Sequence, residues 1–173
     1  MIFFYDDNVI QEIVEKFKTL NYDILYGNME IVYKNDLNKI YRYWAGGRFL
    51  PFKLKLGWMP PHPALFLRTS IAKDYEYDIG YNISADYDLF LRIQNDPRIN
   101  LFYLPEVLVC MRTGGHSNKN LGNIYLKMKE DYRAITNNNI GGLGTLAIKN
   151  IRKIPQIFKW SSSNFYNEKG INN

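Results

Sequence analysis

The chain has a single cysteine and no long apolar run. Cys110 is the only thiol among 173 residues, so no intrachain disulfide can form, and its apolar neighbours predict a buried, inert side chain in a reducing compartment. No stretch of about 18 or more consecutive apolar residues occurs, and no basic segment followed by an apolar one opens the chain. These absences argue against a secreted or membrane-spanning protein and predict a cytoplasmic one.

Two phosphate-binding motifs are also missing. The sequence contains neither G-x-G-x-x-G nor a P-loop, which argues against a self-contained nucleotide-binding fold. The net charge of +5 suits an anionic ligand or a membrane surface, but much of the excess lies after Lys127. We interpret this excess as a local feature, and we predict no nucleic-acid partner.

The remaining composition is sufficient for one sizeable core. Hydrophobic residues make up 46% of the chain, which suits a single domain of this length. Aromatic residues reach 16% and include 14 tyrosines. Tyrosine and tryptophan serve both as sugar-binding platforms and in ordinary packing, and composition leaves both open.

Helical and strand-like segments alternate along the chain, which predicts an α/β fold with a sheet covered by helices. The first predicted helix contains the apolar stripe at residues 10–17 and ends near residue 21. Further helices are predicted over residues 71–75 and 86–94 and from residue 121 to the asparagines at 137–139, and a last one begins near residue 143. The predicted strands cover residues 22–26, 31–33, 39–44, 64–67, 101–104 and 107–111. Gly27 and Asn28 are expected to separate the first two strands, and Pro105 the last two.

The most informative stretch joins a proline-rich loop to a helix start. Three prolines in residues 59–63 fix the backbone around His62, whose ring can face either a ligand or a hydrogen-bonded interior. Further on, Ser84 is a candidate N-cap, and Asp86 and Asp88 favour the positive end of the helix. Asp86 is the strongest candidate for a general base, because a carboxylate at a helix start can point into a cleft, and simple capping is the alternative. Asp88 is a weaker candidate that suits a structural role.

A second candidate site lies in the glycine-rich segment after the last predicted strand. His116 and Ser117 follow two glycines, and Arg112 precedes them, so backbone amides and three polar side chains can meet a diphosphate there. An ordinary glycine-rich turn is the alternative. A metal site of His62, His116 and Asp86 has the ligand set of non-haem iron enzymes, but the spacing of these residues gives it little support.

Several motifs, taken together and in this order, resemble the C-terminal half of bacterial family 2 glycosyltransferases. They are YDDNVI at 5–10, MPPHP at 59–63, ADYDLFLR at 85–92, YLPEVLV at 103–109, MRTGGHSN at 111–118 and GGLGTL at 141–146. The resemblance spans nearly the whole chain. It implies a partial glycosyltransferase-A fold, in which a mixed α/β sheet is flanked by helices and followed by C-terminal helices.

The resemblance also implies a function and a set of site residues. The function is inverting transfer of a sugar from a nucleotide-diphospho-sugar to a saccharide or lipid-linked acceptor in bacterial surface-polysaccharide assembly. Asp86 matches the aspartate of the family's Glu-Asp pair and would take the proton of the acceptor hydroxyl, although Ala85 replaces the glutamate. The implied binding residues are Trp58, His62 and Asp88 for the acceptor, and Arg112, His116 and Ser117 for the donor diphosphate or its metal.

The donor-binding half of such enzymes carries a D-x-D-type motif that holds Mg²⁺ or Mn²⁺ on the diphosphate, and it is expected upstream of Met1. Asp6 and Asp7 align instead with acids that open the next helix. A polypeptide that supplies the donor half is therefore an expected partner, and without it the sheet is expected to expose an apolar edge. The second interpretation is a catalytically inactive truncated or split-gene remnant that acts only with a partner or as a binding module.

The expected organisation has three parts. Residues 1–142 form the C-terminal half of a glycosyltransferase-A domain, residues 143–160 a basic amphipathic helix, and residues 161–173 a disordered tail. The helix carries Lys149, Arg152 and Lys153 beside apolar residues and is a candidate contact with the inner-membrane surface, while simple packing is the alternative. The predicted location is cytoplasmic, with peripheral association at the inner membrane.

Overall fold

A computed structural model describes residues 1–114 and 121–152 of the chain. Within them, a mixed five-stranded sheet is flanked by helices, which confirms the predicted α/β class. The strands are β1 Ile2–Phe4, β2 Ile24–Tyr33, β3 Asp36–Trp44, β4 Leu65–Leu67 and β5 Leu101–Arg112. The helices are α1 Val9–Thr19, α2 Phe52–Lys55, α3 Thr69–Asp74, α4 Ala85–Gln94, α5 Leu121–Asn137 and α6 Leu143–Ile151, and a 3₁₀ turn at His62–Ala64 precedes β4.

β2 is the central strand of the sheet. β5 pairs with it in parallel along one edge, from Ile24 to Val32 of β2. The other edge is shared by β4, which pairs with Ile24–Tyr26, and β3, which pairs with Met29–Tyr33. Both of these pairings are antiparallel, as is the pairing of β1 with β5. Since strands cover both of its edges, β2 is buried along almost its whole length.

The side chains of β2 alternate between two cores. Leu25 and Met29 pack with Val9 and Ile13 of α1 on one face of the sheet. Tyr26 joins a cluster on the other face that includes buried residues of α4, α5 and α6. Because successive strand residues point to opposite faces, α1 lies on one side of the sheet and α4 to α6 lie on the other.

The prediction of two strands around Gly27 and Asn28 is wrong, because β2 runs through both residues. Glycine is required here by the neighbouring strand: a Cβ on Gly27 would lie 2.5 Å from Leu108 Cγ and 2.8 Å from the Glu106 carbonyl oxygen. The Asn28 side chain accepts hydrogen bonds from the Gly46 amide (3.0 Å) and the Tyr103 hydroxyl (2.7 Å). Gly27 and Asn28, which predict a turn from sequence, therefore mark a close approach of β2 and β5 instead.

The predicted break at Pro105 is also wrong, because β5 is one strand. Tyr26 of β2 is level with Tyr103, and Asn28 is level with Val107, so four steps along β5 match two steps along β2. The extra residues of β5 form an irregularity around Pro105, where the missing amide hydrogen costs no ladder bond. Proline is tolerated because the strand bulges at this position.

The apolar spacing of residues 121–135 predicts α5 correctly, but the helix buries a different face. Its exposed apolar side chains are Ile124, Tyr125, Met128 and Tyr132, between 38% and 71% exposed. Its buried side chains are Glu130, Asp131, Ala134 and Ile135. The physical reason is that the two carboxylates bind the loop before α4 and a lysine of α6, as described below.

Cys110 is buried within β5, as predicted, and burial is the main cause that raises the pKa of its thiol to about 11. Within residues 1–114 and 121–152, no helix is long and apolar enough to cross a bilayer. The basic helix predicted over residues 143–160 is present from Leu143 to Ile151. Residues 153–160 and the predicted disordered tail at 161–173 lie outside the described residues.

Gly27→Ala is expected to lower the free energy of unfolding by about 1–3 kcal/mol, because the added methyl group overpacks the contact with Leu108. Urea denaturation at neutral pH measures this loss. Gly144→Ala is the control, since nothing lies within 4 Å of its added Cβ and alanine favours the helical backbone of α6. Equal stability of the two variants would contradict the close approach of β2 and β5.

Candidate functional site

The loop that leads into α4 is held by a carboxylate of α5. Glu130 Oε1 accepts a hydrogen bond from the backbone amide of Asn82 (2.9 Å), and Oε2 accepts from the amides of Ile83 (2.8 Å) and Ser84 (2.9 Å). Burial alone would raise the pKa of Glu130, but these amide hydrogen bonds lower it overall. A negative charge also suits this position beside the positive end of α4. Glu130 therefore fixes the path of the chain into the helix.

Asp131 is the least exposed charged side chain among the described residues, at 1%. Its Oδ1 accepts a hydrogen bond from Ser84 Oγ (2.7 Å) and lies 2.9 Å from Lys149 Nζ, and Lys127 Nζ lies 3.1 Å from Oδ2. Burial alone would raise the pKa of Asp131, but the two ammonium groups lower it overall. Lys149 Nζ also lies over the ring of Tyr87, 2.9 Å from its centroid. Asp131 and its partners thus join α4, α5 and α6.

Sequence reasoning missed Glu130 and Asp131, which we call the α5 acid pair. The helical register contains the signal that could have found them, because Ala134 and Ile135 follow four residues later on the same buried face. The prediction for Ser84 needs a correction as well. It occupies the N-cap position of α4, but its side chain makes no cap hydrogen bond, because its hydroxyl donates to Asp131 instead.

Asp86, the predicted general base, is the second residue of α4 and is partly buried. Its Oδ1 accepts a hydrogen bond from the Tyr87 amide (2.8 Å), the only one made to this carboxylate by the described residues. The helix start is closed by other groups, since the Asp88 amide donates to the Ser84 carbonyl (3.0 Å) and Glu130 holds the preceding amides. Asp86 thus binds one amide of the first turn of α4, as the capping alternative expects, and its catalytic role stays a prediction.

His62 and Tyr77 form a pair whose pKa values the charge of Asp86 affects. His62 Nε2 and the Tyr77 hydroxyl are 2.9 Å apart and share a hydrogen bond. Burial lowers the pKa of His62, and the charge of Asp86 opposes part of that effect. Burial also raises the pKa of Tyr77, and the charge of Asp86 adds to this effect. An imidazole and a phenol are thus in contact, and the Asp86 carboxylate is near enough for its charge to affect both.

Tyr77 is a site residue that sequence reasoning missed. It is 51% exposed, so its ring and hydroxyl are available at the protein surface beside His62. His62 Nδ1, in contrast, is buried and has no hydrogen-bond partner among the described residues. No local pattern distinguishes Tyr77 from the other tyrosines, of which the chain has 14 in total. Its placement depends on the packing of the proline-rich turn against the loop before α4.

Two of the predicted acceptor-binding residues face the interior. Trp58 is 6% exposed, packs among aromatic rings, and donates a hydrogen bond from Nε1 to the Gly46 carbonyl (3.1 Å). Asp88 is 4% exposed; its Oδ2 accepts from Arg92 Nε (2.8 Å) and its Oδ1 from Asn138 Nδ2 (3.1 Å). These placements favour structural roles for Trp58 and Asp88 over contact with an acceptor.

Arg112, the one predicted diphosphate-binding residue that the structure describes, lies away from the proline-rich turn. Arg112 is level with Val32 near the end of β2, whereas the strand that follows the proline-rich turn begins level with Tyr26. Arg112 Nε is buried and has no hydrogen-bond partner among residues 1–114 and 121–152. His116 and Ser117 lie outside the described residues.

The described residues do not fit a resident Mg²⁺ or Mn²⁺ ion. Within residues 1–114 and 121–152, no three His, Cys, Asp or Glu side chains are grouped so that they could hold a metal. Residues 86–88 have D-x-D spacing, but both oxygens of Asp88 are paired inside the protein. Asp6 and Asp7 precede α1, where Asp6 Oδ1 accepts a hydrogen bond from the Asn8 amide (2.7 Å). The alternative iron site requires His116, which lies outside the described residues.

No protein-family model, curated protein or solved structure matches the chain. The resemblance to family 2 glycosyltransferases rests on the sequence motifs alone. The geometry around Asp86 is an observation on this chain that does not depend on the resemblance.

Stability is expected to fall in acid, because the pKa values of Glu130 and Asp131 are lowered in the folded state. Their contribution is complete above the ordinary values of 4.5 and 3.8, and it is lost as the pH falls through the lower folded values. Urea denaturation from neutral pH to about pH 3 measures this dependence. The double variant Glu130→Gln/Asp131→Asn is expected to be less stable at neutral pH and to lose less on acidification. Parallel pH profiles would contradict the stabilising role of the α5 acid pair.

The proximity of Asp86 to His62 predicts a linked titration. Asp86→Asn is expected to lower the pKa of His62 further, because the opposing effect of the carboxylate is removed. NMR titration of the imidazole measures this change, and a His116→Asn background leaves His62 as the one remaining histidine of the two in the chain. Asp74→Asn, at an exposed position, is the control and should leave the pKa unchanged. If the pKa of His62 is unchanged in Asp86→Asn, the Asp86 carboxylate does not act on the imidazole.

Proposed function

We propose that this chain is the acceptor-side half of a glycosyltransferase. It would move a sugar from a nucleotide-diphospho-sugar to a saccharide or lipid-linked acceptor in bacterial surface-polysaccharide assembly. The observation that carries the proposal is the Asp86 carboxylate, which sits on a fixed helix start beside His62 and Tyr77 and has one hydrogen bond from the described residues. The motifs support glycosyl transfer as the reaction class, and the position of Asp86 at the start of α4 supports its role as the general base.

The reaction needs a base for the acceptor hydroxyl. As the acceptor oxygen bonds to the anomeric carbon, its proton passes to Asp86. The bond from that carbon to the diphosphate breaks, and the nucleoside diphosphate leaves with the electron pair. Attack from the face opposite the leaving group inverts the anomeric centre. A base on a rigid helix start limits the positions that the acceptor hydroxyl can take, which favours this geometry.

His62 and Tyr77 suit the acceptor side of this reaction. Tyr77 combines an exposed ring, which can stack on a sugar, with a hydroxyl that can bind sugar oxygens. The neutral form of His62, favoured by burial, holds that hydroxyl through the 2.9 Å hydrogen bond. Acceptor binding by His62 is implied by the motif resemblance, and the hydrogen bond between the two side chains supports Tyr77 as a second acceptor contact.

The donor side is proposed to come from a second polypeptide or from further residues of the same protein. A bound Mg²⁺ or Mn²⁺ would neutralise charge on the departing diphosphate, but the described residues offer no group of ligands for it. Arg112, His116 and Ser117 remain proposed contacts to the diphosphate. The separation of Arg112 from the carboxylate supports the second candidate function, an inactive remnant or a partner-dependent binding module.

Release of nucleoside diphosphate by the purified chain distinguishes the two candidates. The assay supplies nucleotide-sugar donors, Mn²⁺ and a saccharide or lipid-linked acceptor, with and without a polypeptide that carries the donor half. Donor-dependent release supports the transferase. If the chain alone neither turns over donor nor binds nucleotide, catalysis by this chain alone is ruled out, and release only with the second polypeptide identifies the partner-dependent form.

In any active form, Asp86→Asn is expected to lower kcat by about 10²–10⁴-fold, because the proton acceptor is lost. Donor binding should be largely kept, since the substitution is nearly isosteric. Initial rates and donor titration measure both quantities. Asp74→Asn is the control and should leave kcat unchanged, because this carboxylate is exposed. Full activity of Asp86→Asn would refute the assignment.

A further inference from the structure

We propose that one surface of the protein binds anionic lipid membranes. The α2–α6 surface consists of α2 with the residues before it and of the outer face of α6, and its defining members are Arg48, Phe52, Lys55, Ile148, Ile151 and Arg152. The inference rests on the peripheral association that the C-terminal helix predicts. It adds a second element, α2, and the class of lipid that the surface fits.

The outer face of α6 is apolar although it is exposed. Leu143 is 70% exposed, Ile148 38% and Ile151 61%, while Leu146 and Lys149 on the opposite face are buried. The helix thus buries a lysine and presents its branched aliphatic residues to the outside. A face of this kind suits an apolar environment such as the boundary between lipid head groups and acyl chains.

α2 lies beside α6 and extends this surface. Gly57, just after α2, packs so closely on α6 that an added Cβ would clash with Lys149. Arg152 Nη1 lies 3.5 Å from the Leu56 carbonyl oxygen, so the end of α6 also meets this segment. Phe52, the first residue of α2, is 58% exposed. An exposed aromatic residue therefore lies on the element that borders the aliphatic face.

The charge on this surface has one sign. α2 and α6 belong to two stretches, residues 37–73 and 132–167, that contain no Asp or Glu but contain seven and five Lys or Arg residues. Arg48 and Lys55 are exposed, and neither forms an ion pair with another described residue. Their charge is therefore available for an anionic partner, and each basic residue near an anionic bilayer adds to binding.

The combination favours a membrane over a nucleic acid. Exposed leucine and isoleucine gain little from a phosphate backbone, but they enter the bilayer interface favourably. The orientation is also useful for the proposed reaction. α4 and α6 pack on the same face of the sheet, opposite α1, so binding through α6 brings the helix that carries Asp86 to the membrane side.

Co-sedimentation of the full chain with vesicles tests the proposal. Vesicles of phosphatidylglycerol and phosphatidylethanolamine are compared with vesicles of phosphatidylcholine. Arg48→Gln/Lys55→Gln is expected to weaken partition to the anionic vesicles about fivefold per charge, or about 25-fold for the pair. Phe52→Ser/Ile151→Ser is expected to weaken it about tenfold or more, because apolar area no longer enters the interface.

The matched controls lie on other parts of the surface. Lys18→Gln/Lys34→Gln removes two exposed charges, and Ile10→Ser removes an exposed apolar side chain of α1. These variants should bind the anionic vesicles as the wild type does, and the wild type should bind phosphatidylcholine poorly.

Several results would overturn the proposal. If the α2 and α6 variants bind anionic vesicles as well as the wild type does, the protein associates with membranes through some other surface. If the wild type does not bind anionic vesicles, both the α2–α6 contact and peripheral membrane association are wrong. A stable dimer that Phe52→Ser/Ile151→Ser dissociates would assign the surface to a second copy, and tighter binding to a single-stranded RNA oligonucleotide would assign it to nucleic acid. The vesicle assay needs no donor or acceptor, so its failure is distinct from a failure of the proposed transfer.

Discussion

The arrangement of the candidate site depends on two adjacent carboxylates in α5. Glu130 binds three consecutive amides of the loop before α4, and Asp131 binds the Ser84 hydroxyl together with the ammonium groups of Lys127 and Lys149. Buried carboxylates are costly unless they are fully paired, and here hydrogen bonds and positive charges compensate both of them. These contacts fix the loop and the start of α4, and so they fix the position of Asp86, which accepts one hydrogen bond from the Tyr87 amide.

The sequence predicts most helices and strands, because their apolar periodicity is a local property. Its errors occur where a local signal has two physical causes. Gly27 serves the close approach of Leu108 and does not end a strand, and Pro105 lies in a bulge and does not break β5. Which cause applies depends on the neighbouring strand, and the pairing of β2 with β5 is a long-range contact that no local pattern reveals.

The candidate site shows the same division. A carboxylate at a helix start and a histidine held by prolines are local features, so Asp86 and His62 can be selected from sequence. In the structure, the charge of Asp86 affects the pKa of His62. Trp58 and Asp88 satisfy the same motifs but point inward. Tyr77 and the α5 acid pair have no distinctive local pattern. The outer face of α6 is a related case, because an amphipathic pattern does not say which face the protein buries.

Amide hydrogen exchange at Asn82, Ile83 and Ser84 tests most directly whether the α5 acid pair holds the site. In the wild type these amides are predicted to exchange slowly, and in Glu130→Ala about tenfold or more faster, because hydrogen bonds to a charged acceptor are lost. The amide of Leu25 in the central strand provides an internal reference for global stability. Fast exchange of the three loop amides in the wild type, or unchanged exchange in the variant, would contradict the account.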